Sequence, residues 1–253
     1  MANIMTTQEI LKQCAIEGSI VKLPQIKLDR KTYQDVAKQL EHIGGKWKGG
    51  KVFGFVFEQD PTSLISEIAN GKTRNLKKEF QFFETPEELA IELCEHAFID
   101  AAIVGKVLEP SAGKGAIIKA IHKDQYDQLN VRYCELDPLN RSFLSRISNT
   151  KYLCDDFLQL NAPDEFATII ANPPFTKNQD IDHIYKMYEC LKPSGRLVSV
   201  ASKHYQFTSG KKETSFREWL SAKDAHVINL PAGVFKTSGT GVSACIIIIN
   251  KHN

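Results

Sequence analysis

The segment Asn172-Pro173-Pro174-Phe175 directly follows an apolar run, Ala167-Thr168-Ile169-Ile170-Ala171. Two successive prolines have no N–H and a locked φ, so they hold the backbone rigid with its carbonyls free to accept. The Asn172 side-chain oxygen and the Pro173 carbonyl can then both accept from one NH₂ group. An amine held this way has its nitrogen available for in-line attack on an activated methyl carbon, such as one carried on a sulfonium. Orientation supplies most of what such a transfer needs. Phe175 offers a flat face on which a flipped-out heterocycle can stack, worth about 1–3 kcal/mol by analogy with single-strand binders. No acid, thiol or metal is required. The bland alternative is a rigid turn with no chemistry.

Upstream, Val107-Leu108-Glu109-Pro110-Ser111-Ala112-Gly113-Lys114-Gly115-Ala116 leaves one predicted strand and enters a helix. Gly113 and Gly115 remove side chains, so the backbone can approach a cofactor closely; a purely structural tight turn would use them equally well. Glu135 stands 20 residues after Gly115, at the end of the next strand. Nucleotide-binding α/β folds place there a carboxylate that accepts from ribose hydroxyls. Leu136 is then set against an adenine ring. Asp155-Asp156-Phe157 ends a third strand: Asp156 either accepts from an adenine amine, with Phe157 covering the ring, or caps a helix.

These residues need an α/β frame, and the pattern from residue 80 supplies one. Helices are predicted over 86–98, 114–123, 138–146, 180–191 and 214–221. Strands are predicted over 106–109, 130–135, 151–154, 167–171, 196–201, 226–230 and 243–250. Strands alternating with helices imply a parallel sheet covered on both faces. The last two strands are joined by a loop alone, which predicts an antiparallel hairpin at one edge. Ligands in such sheets bind at the carboxyl ends of the strands.

Residues 1–79 read as a small appendage of helix, hairpin and helix. A helix is expected over 6–18, another over 30–42 capped by Asp29, and a short one from Asp60-Pro61 to about Asn70. Lys46–Lys48 and Val52–Phe57 flank Gly49-Gly50 as a hairpin. The boundary is expected near 70–75, with a second domain spanning 80–253.

The bulk properties narrow the class. Of 253 residues, 42% are hydrophobic and 25% charged, ordinary for a soluble domain with a self-sufficient core. The six cysteines form no C-x-x-C pair and none has a histidine at zinc-ligand spacing, so they read as buried thiols in a reducing compartment. With no signal segment and no apolar run near the roughly 18 residues of a membrane span, a cytoplasmic chain without metal or membrane partner is expected. Net charge is +2, but residues 1–80 hold 13 basic against 9 acidic side chains and the remainder 19 against 21. A basic appendage suits phosphate contact, and an ordinary solvated surface explains it as well.

Together these motifs resemble the N6-adenine DNA methyltransferases of the NPPF/NPPY type, with a motif order like that of the gamma group. The resemblance spans about residues 80–253. It implies a Rossmann-like class I fold and S-adenosylmethionine as cofactor. The cofactor turn falls on Glu109, Ser111, Ala112, Gly113 and Gly115, the ribose acid on Glu135, the adenine contact on Asp156-Phe157, and the catalytic motif on Asn172, Pro173, Pro174 and Phe175. An aromatic-x-Thr-Pro motif falls on Phe83-Glu84-Thr85-Pro86, whose helix start closes over the methionine end of the cofactor. Thr85 as N-cap, Pro86 at N1 and Glu88 at N3 also read as a capping box. Families methylating ribosomal RNA bases or a glutamine side chain share NPP-aromatic motifs, so RNA stands as the alternative substrate. A silent cofactor-binding or nucleic-acid-binding module is the alternative of another class. The chain resembles compact phage and mobile-element forms without a long recognition domain after the sheet, which implies short or loose recognition by a monomer.

Two basic segments are candidate DNA contacts. Lys46, Lys48 and Lys51 lie on the N-terminal hairpin. Lys203, Lys211 and Lys212 lie on a loop after the fifth strand, which either meets phosphates and fills the space of a displaced base or is a surface loop. Trp47 reads as a packing residue.

Overall fold

The computed structural model describes residues 5–76, 84–97, 105–123, 129–236 and 241–252. The chain forms two compact units, Met1–Gln81 and Phe82–Asn253.

In the first unit, helix α1 (Thr7–Lys12) opens with a reciprocal capping box between Thr6 and Glu9. The helix expected to reach residue 18 stops at Lys12. Ala15–Glu17 (β1) and Ile20–Lys22 (β2) instead pair antiparallel about Gly18, whose φ of 59° the turn requires. Helix α2 (Arg30–His42) is capped by Asp29 as expected. Lys46–Lys48 (β3) and Gly54–Val56 (β4) form the expected hairpin with a wider turn. The sheet order is β1-β2-β4-β3, so the unit is a four-stranded antiparallel sheet with α1, α2 and α3 (Thr62–Ala69) rather than helix, hairpin and helix. Its core gathers Ile10, Val21, Val36, Leu40, Phe55 and Ile65. Segment 70–75, the expected boundary, is tied back to this unit by Arg74 and Lys72 on Glu67.

The second unit is a seven-stranded sheet in the order β10-β11-β9-β8-β5-β6-β7. The strands are Val107–Glu109 (β5), Val131–Cys134 (β6), Thr150–Cys154 (β7), Phe166–Ala171 (β8), Leu191–Ser202 (β9), His226–Asn229 (β10) and Ala244–Asn250 (β11). β5 to β9 pair in parallel; β11 enters antiparallel between β9 and β10, as the predicted edge hairpin. Side chains alternate across each strand. Ile170, Ile246 and Ile248 therefore pack with helices α4 (Glu87–Ala97) and α5 (Ala116–Lys123) on one face. Ile169, Ala171, Cys245 and Ile247 pack with α7 (Gln179–Cys190) and α9 (Lys211–Ala222) on the other. α6 (Pro138–Leu144) follows β6, and α8 (His204–Phe207) follows β9. β9 starts five residues earlier than expected because Ser194, at φ 60°, lets the register with β8 shift.

The chain runs outward from β5 through β6 and β7, then returns to β8 on the other side of β5. The ends of β5 and β8 therefore flank the point where strand order reverses, the crevice where open α/β sheets bind ligands.

Candidate active site

Beyond β5, Gly113 and Gly115 adopt φ of 53° and 78°. The φ of Gly115 favours glycine, and a Cβ there would lie 2.8 Å from Ile147 Cδ1 and 2.9 Å from Leu144 Cδ2, which would have to shift. The turn is tied to β6 by Ala112 N–H donating to the Cys134 carbonyl at 3.1 Å. Glu135 Oε2 accepts from the Gly113 N–H at 2.6 Å; Oε1 accepts from the Asp137 N–H at 2.8 Å and from Asn140 Nδ2 at 3.4 Å. Three bonds leave about one of a carboxylate's four acceptor sites open. Leu136, next in sequence, is exposed.

Glu109 is buried under the turn, and its Oε2 has no hydrogen-bond partner among the described residues. Burial, and then the charge of Glu135, push its carboxyl well above the usual range. Glu135 is pushed up by burial too, but the backbone N–H groups of Asp137 and Gly113 oppose the shift. Burial thus raises both carboxyls, Glu109 well above the usual range.

At the end of β8, Asn172 Nδ2 donates to Thr85 Oγ1 at 3.0 Å. Asn172 Oδ1 is buried and accepts nothing from the described residues. The Thr85 hydroxyl therefore serves Asn172. The first helical bond of α4 runs from Ala90 N–H to the Pro86 carbonyl, which makes Pro86, not Thr85, the capping position. Phe175 is half-buried and meets Phe235 edge-on, with ring centroids 5.9 Å apart. Asp156 is exposed and its Oδ1 accepts from the Leu158 N–H at 3.0 Å, the capping role left open by the sequence. Phe157 lies in the core beside His183. Ser111 is half-buried and Ala112 buried in the turn. Phe83 lies outside the described residues. A cleft of about 400 Å³ lined by Thr85, Pro86, Ala116 and Lys119 meets the site at Thr85 and Pro86.

Sequence reasoning missed Asp180. It is 2% exposed, and its Oδ2 accepts from the Ser202 N–H at 2.8 Å, tying the helix behind Phe175 to the end of β9. Burial pushes its carboxyl up to about 6. Between Phe175 and that helix, Lys177 and Asn178 both take positive φ. Lys212 clamps this bend by donating to the Asn178 carbonyl at 2.8 Å and to Asp182 at 2.7 Å. Lys203 donates to the Leu230 carbonyl at 3.3 Å. The expected loop holds the short helix α8 instead, with Lys211 and Lys212 opening α9, and of Lys203, Lys211 and Lys212 only Lys211 is exposed. Phe207, on α8, is 81% exposed.

Residues 145–253 match the profile of the N-6 DNA Methylase family. Three solved structures share the fold. The methyltransferase subunit of a type I restriction-modification system from Streptococcus thermophilus is 20% identical, with a TM-score of 0.55 over 68% of this chain and 45% of that one. A modification subunit assigned to a type I restriction enzyme of Vibrio vulnificus is 15% identical, with a TM-score of 0.54 over 85% of this chain and 56% of its own. A protein of Listeria monocytogenes, assigned as a class I S-adenosylmethionine-dependent methyltransferase, is 15% identical, with a TM-score of 0.55 over 76% and 67%. The chain spans about half the length of the two restriction subunits. No helix among the described residues is long and apolar enough to cross a membrane, and no acid, histidine and cysteine cluster there could hold a metal ion. The fold is that of the class I S-adenosylmethionine-dependent methyltransferases, and its part from residue 145 onward, Asn172 to Phe175 included, matches the N-6 DNA methylases.

Proposed function

We propose that this chain transfers a methyl group from S-adenosylmethionine to the N6 amine of adenine in DNA. The observation that carries this reading is the buried, unpartnered Asn172 Oδ1 at the end of β8. A buried acceptor left without a donor costs about 1–3 kcal/mol, and an amine entering the crevice would relieve that cost.

The residues fit a nucleoside cofactor. Gly113 and Gly115 keep the end of β5 bare, and Glu135 retains acceptor capacity beside them. When bound, S-adenosylmethionine would supply a methyl on a sulfonium; the amine nitrogen would bond to that carbon as its bond to sulfur breaks, releasing the neutral thioether, and the surplus proton on nitrogen would pass to solvent. Glu135 would take one ribose hydroxyl, Leu136 would lie against the adenine of the cofactor, and the exposed Asp156 would accept from that ring's amine, with Phe157 behind it. Ser111, Ala112 and Glu109 shape the turn, while Thr85 and Pro86 would border the methionine end. Thr85 accepts from Asn172 Nδ2 and so keeps Oδ1 turned toward the substrate. Asn172 Oδ1 and the Pro173 carbonyl then accept the two N–H groups of the target. Pro174 keeps the turn rigid, and Phe175, braced by Phe235, stacks on the base. A paired adenine must leave the helix to reach this place.

Residues 80–253 carry the transfer, and 1–79 assist substrate binding. Lys211, with Lys46, Lys48 and Lys51, supplies phosphate contacts; Lys203 and Lys212 reach DNA only by leaving their protein acceptors. The enzyme works as a cytoplasmic monomer with its thiols reduced. The test compares matched duplex, mismatched duplex, single-stranded DNA and structured RNA as methyl acceptors. Mismatched and single-stranded adenines should react at least as well as paired ones, because extruding them costs less by up to a few kcal/mol. Activity confined to RNA would overturn the DNA assignment.

A further inference from the structure

Among the described residues of the N-terminal unit, the most exposed ring stands at a strained backbone position. Phe53 is 70% exposed and stands at φ 42°. Positive φ is uncommon outside glycine, and for a bulky residue it marks a turn under strain. A glycine would sit there with less strain. Neither folding nor solubility favours a phenylalanine held out to water in that conformation.

Phe53 is the outer end of an aromatic ladder. Its ring centroid lies 5.2 Å from that of Trp47, and Trp47 lies 5.2 Å from Phe55, both pairs meeting edge-on. Exposure falls along the ladder from 70% at Phe53 through 40% at Trp47 to 1% at Phe55. Phe55 is fixed in the core with Val21, Val36 and Leu40. The outer rings are therefore presented from an anchored base.

Charge lies on the same edge. β3 is an edge strand, and Lys46, Lys48 and Lys51 are all exposed. Among the described residues no carboxylate pairs with any of the three. By alternation along a strand, Lys46 and Lys48 leave β3 on the face opposite Trp47. The edge thus offers rings on one flank and ammonium groups on the other. That division matches a single nucleic-acid strand, whose bases and phosphates point apart; a duplex hides its base faces. Lysines on an edge strand also discourage edge-to-edge pairing, but that role has no use for Phe53.

We propose that the edge formed by Lys46–Phe53 binds single-stranded or locally unpaired nucleic acid, stacking a base on Phe53 and Trp47 and seating phosphates on Lys46, Lys48 and Lys51. The inference deepens the reading of a nucleic-acid substrate by giving that substrate a docking surface on the N-terminal unit.

The test is fluorescence anisotropy of the full chain, without cofactor, on a labelled twelve-nucleotide oligothymidine. This probe has no adenine for the Asn172 site. Phe53→Gly should weaken binding by about tenfold, a typical loss for one stacking ring, without lowering Tm. Phe53→Trp should bind as the parent does. Lys48→Ala and Lys51→Ala should each reduce the slope of log K against log salt by about 0.7. Parent-like binding by Phe53→Gly, or tighter binding to a duplex of equal length, would overturn the proposal. The two readings fail separately. If the parent binds oligothymidine through Phe53 but methylates no adenine, the methyl-transfer reading falls and the surface stands. If the parent methylates adenine and Phe53→Gly binds unchanged, the surface falls and the transfer reading stands.

Discussion

Two regions of this chain, the ends of β5 and β8 in one unit and the β3 edge in the other, hold their unsatisfied groups in opposite ways. At the ends of the adjacent strands β5 and β8 they are polar and buried: Glu109 Oε2 and Asn172 Oδ1 have no partner among the described residues. In the N-terminal unit they are apolar and exposed, with Phe53 and Trp47 standing out from a sheet that buries the rest of its aromatic ladder. The difference teaches what each region lacks. The buried acceptors lack a donor, which points to a small polar group entering a shaped crevice. The exposed rings lack apolar cover, which points to a broad, forgiving stack. Substitutions should accordingly act on chemistry and cofactor in one unit and on substrate capture in the other.

The largest effect is expected at Asn172. Asn172→Ala should lower methyl transfer by at least about 100-fold, the scale of a misplaced reacting group, while the protein stays folded and still binds cofactor. A tritiated-methyl assay beside calorimetry checks both halves, and full activity in the variant would erase the distinction between the units. Glu135→Ala comes next. Loss of a charged hydrogen bond costs about 1.5–3 kcal/mol, so cofactor affinity should fall roughly 10- to 150-fold. The change also orphans the Gly113 and Asp137 N–H groups, so a lower Tm should accompany it; unchanged affinity by calorimetry would remove the ribose assignment.

Gly115→Ala probes the frame. Its φ of 78° and a Cβ set 2.8 Å from Ile147 should cost about 1–3 kcal/mol of stability, read by denaturant unfolding. The smallest effect is one of pH. Burial raises Asp180 from 3.8 to about 6, so the folded state holds that proton more tightly than the unfolded state. Its contribution to stability is therefore greatest below about pH 4 and declines as pH rises through 6. Asp180→Asn should melt higher than the parent at pH 8 and nearly with it at pH 4. The reverse order would show that the Ser202 bond outweighs burial.

Much of the methyltransferase unit was legible because its signals are local. The β8 run is apolar at every position but Thr168 and buried throughout, as suits a strand covered on both faces, and the glycine turn and Glu135 stand at the spacing the strands impose. Long-range partners were not legible. Thr85 looked like a helix cap because its neighbours suit one, yet its hydroxyl accepts from Asn172, 87 residues away. Asp180 gave no signal, since its partner is the backbone of Ser202. Lys212 read as a free cation, and only the fold shows it clamped on Asp182. In the N-terminal unit, β1 and β2 have three residues each, too few for alternation to compete with the helical pattern around them. Phe53 was hidden for another reason: its side chain is apolar, and only its positive φ places it outside the core.

The central claim is tested most directly by the identity of the methylated atom. Purified protein is incubated with methyl-labelled S-adenosylmethionine and single-stranded DNA containing all four bases. The DNA is then digested to nucleosides and resolved by mass spectrometry, with Asn172→Ala alongside. The account predicts label in N6-methyldeoxyadenosine alone, and none from the variant. Label on another base, or equal label from the variant, would contradict it.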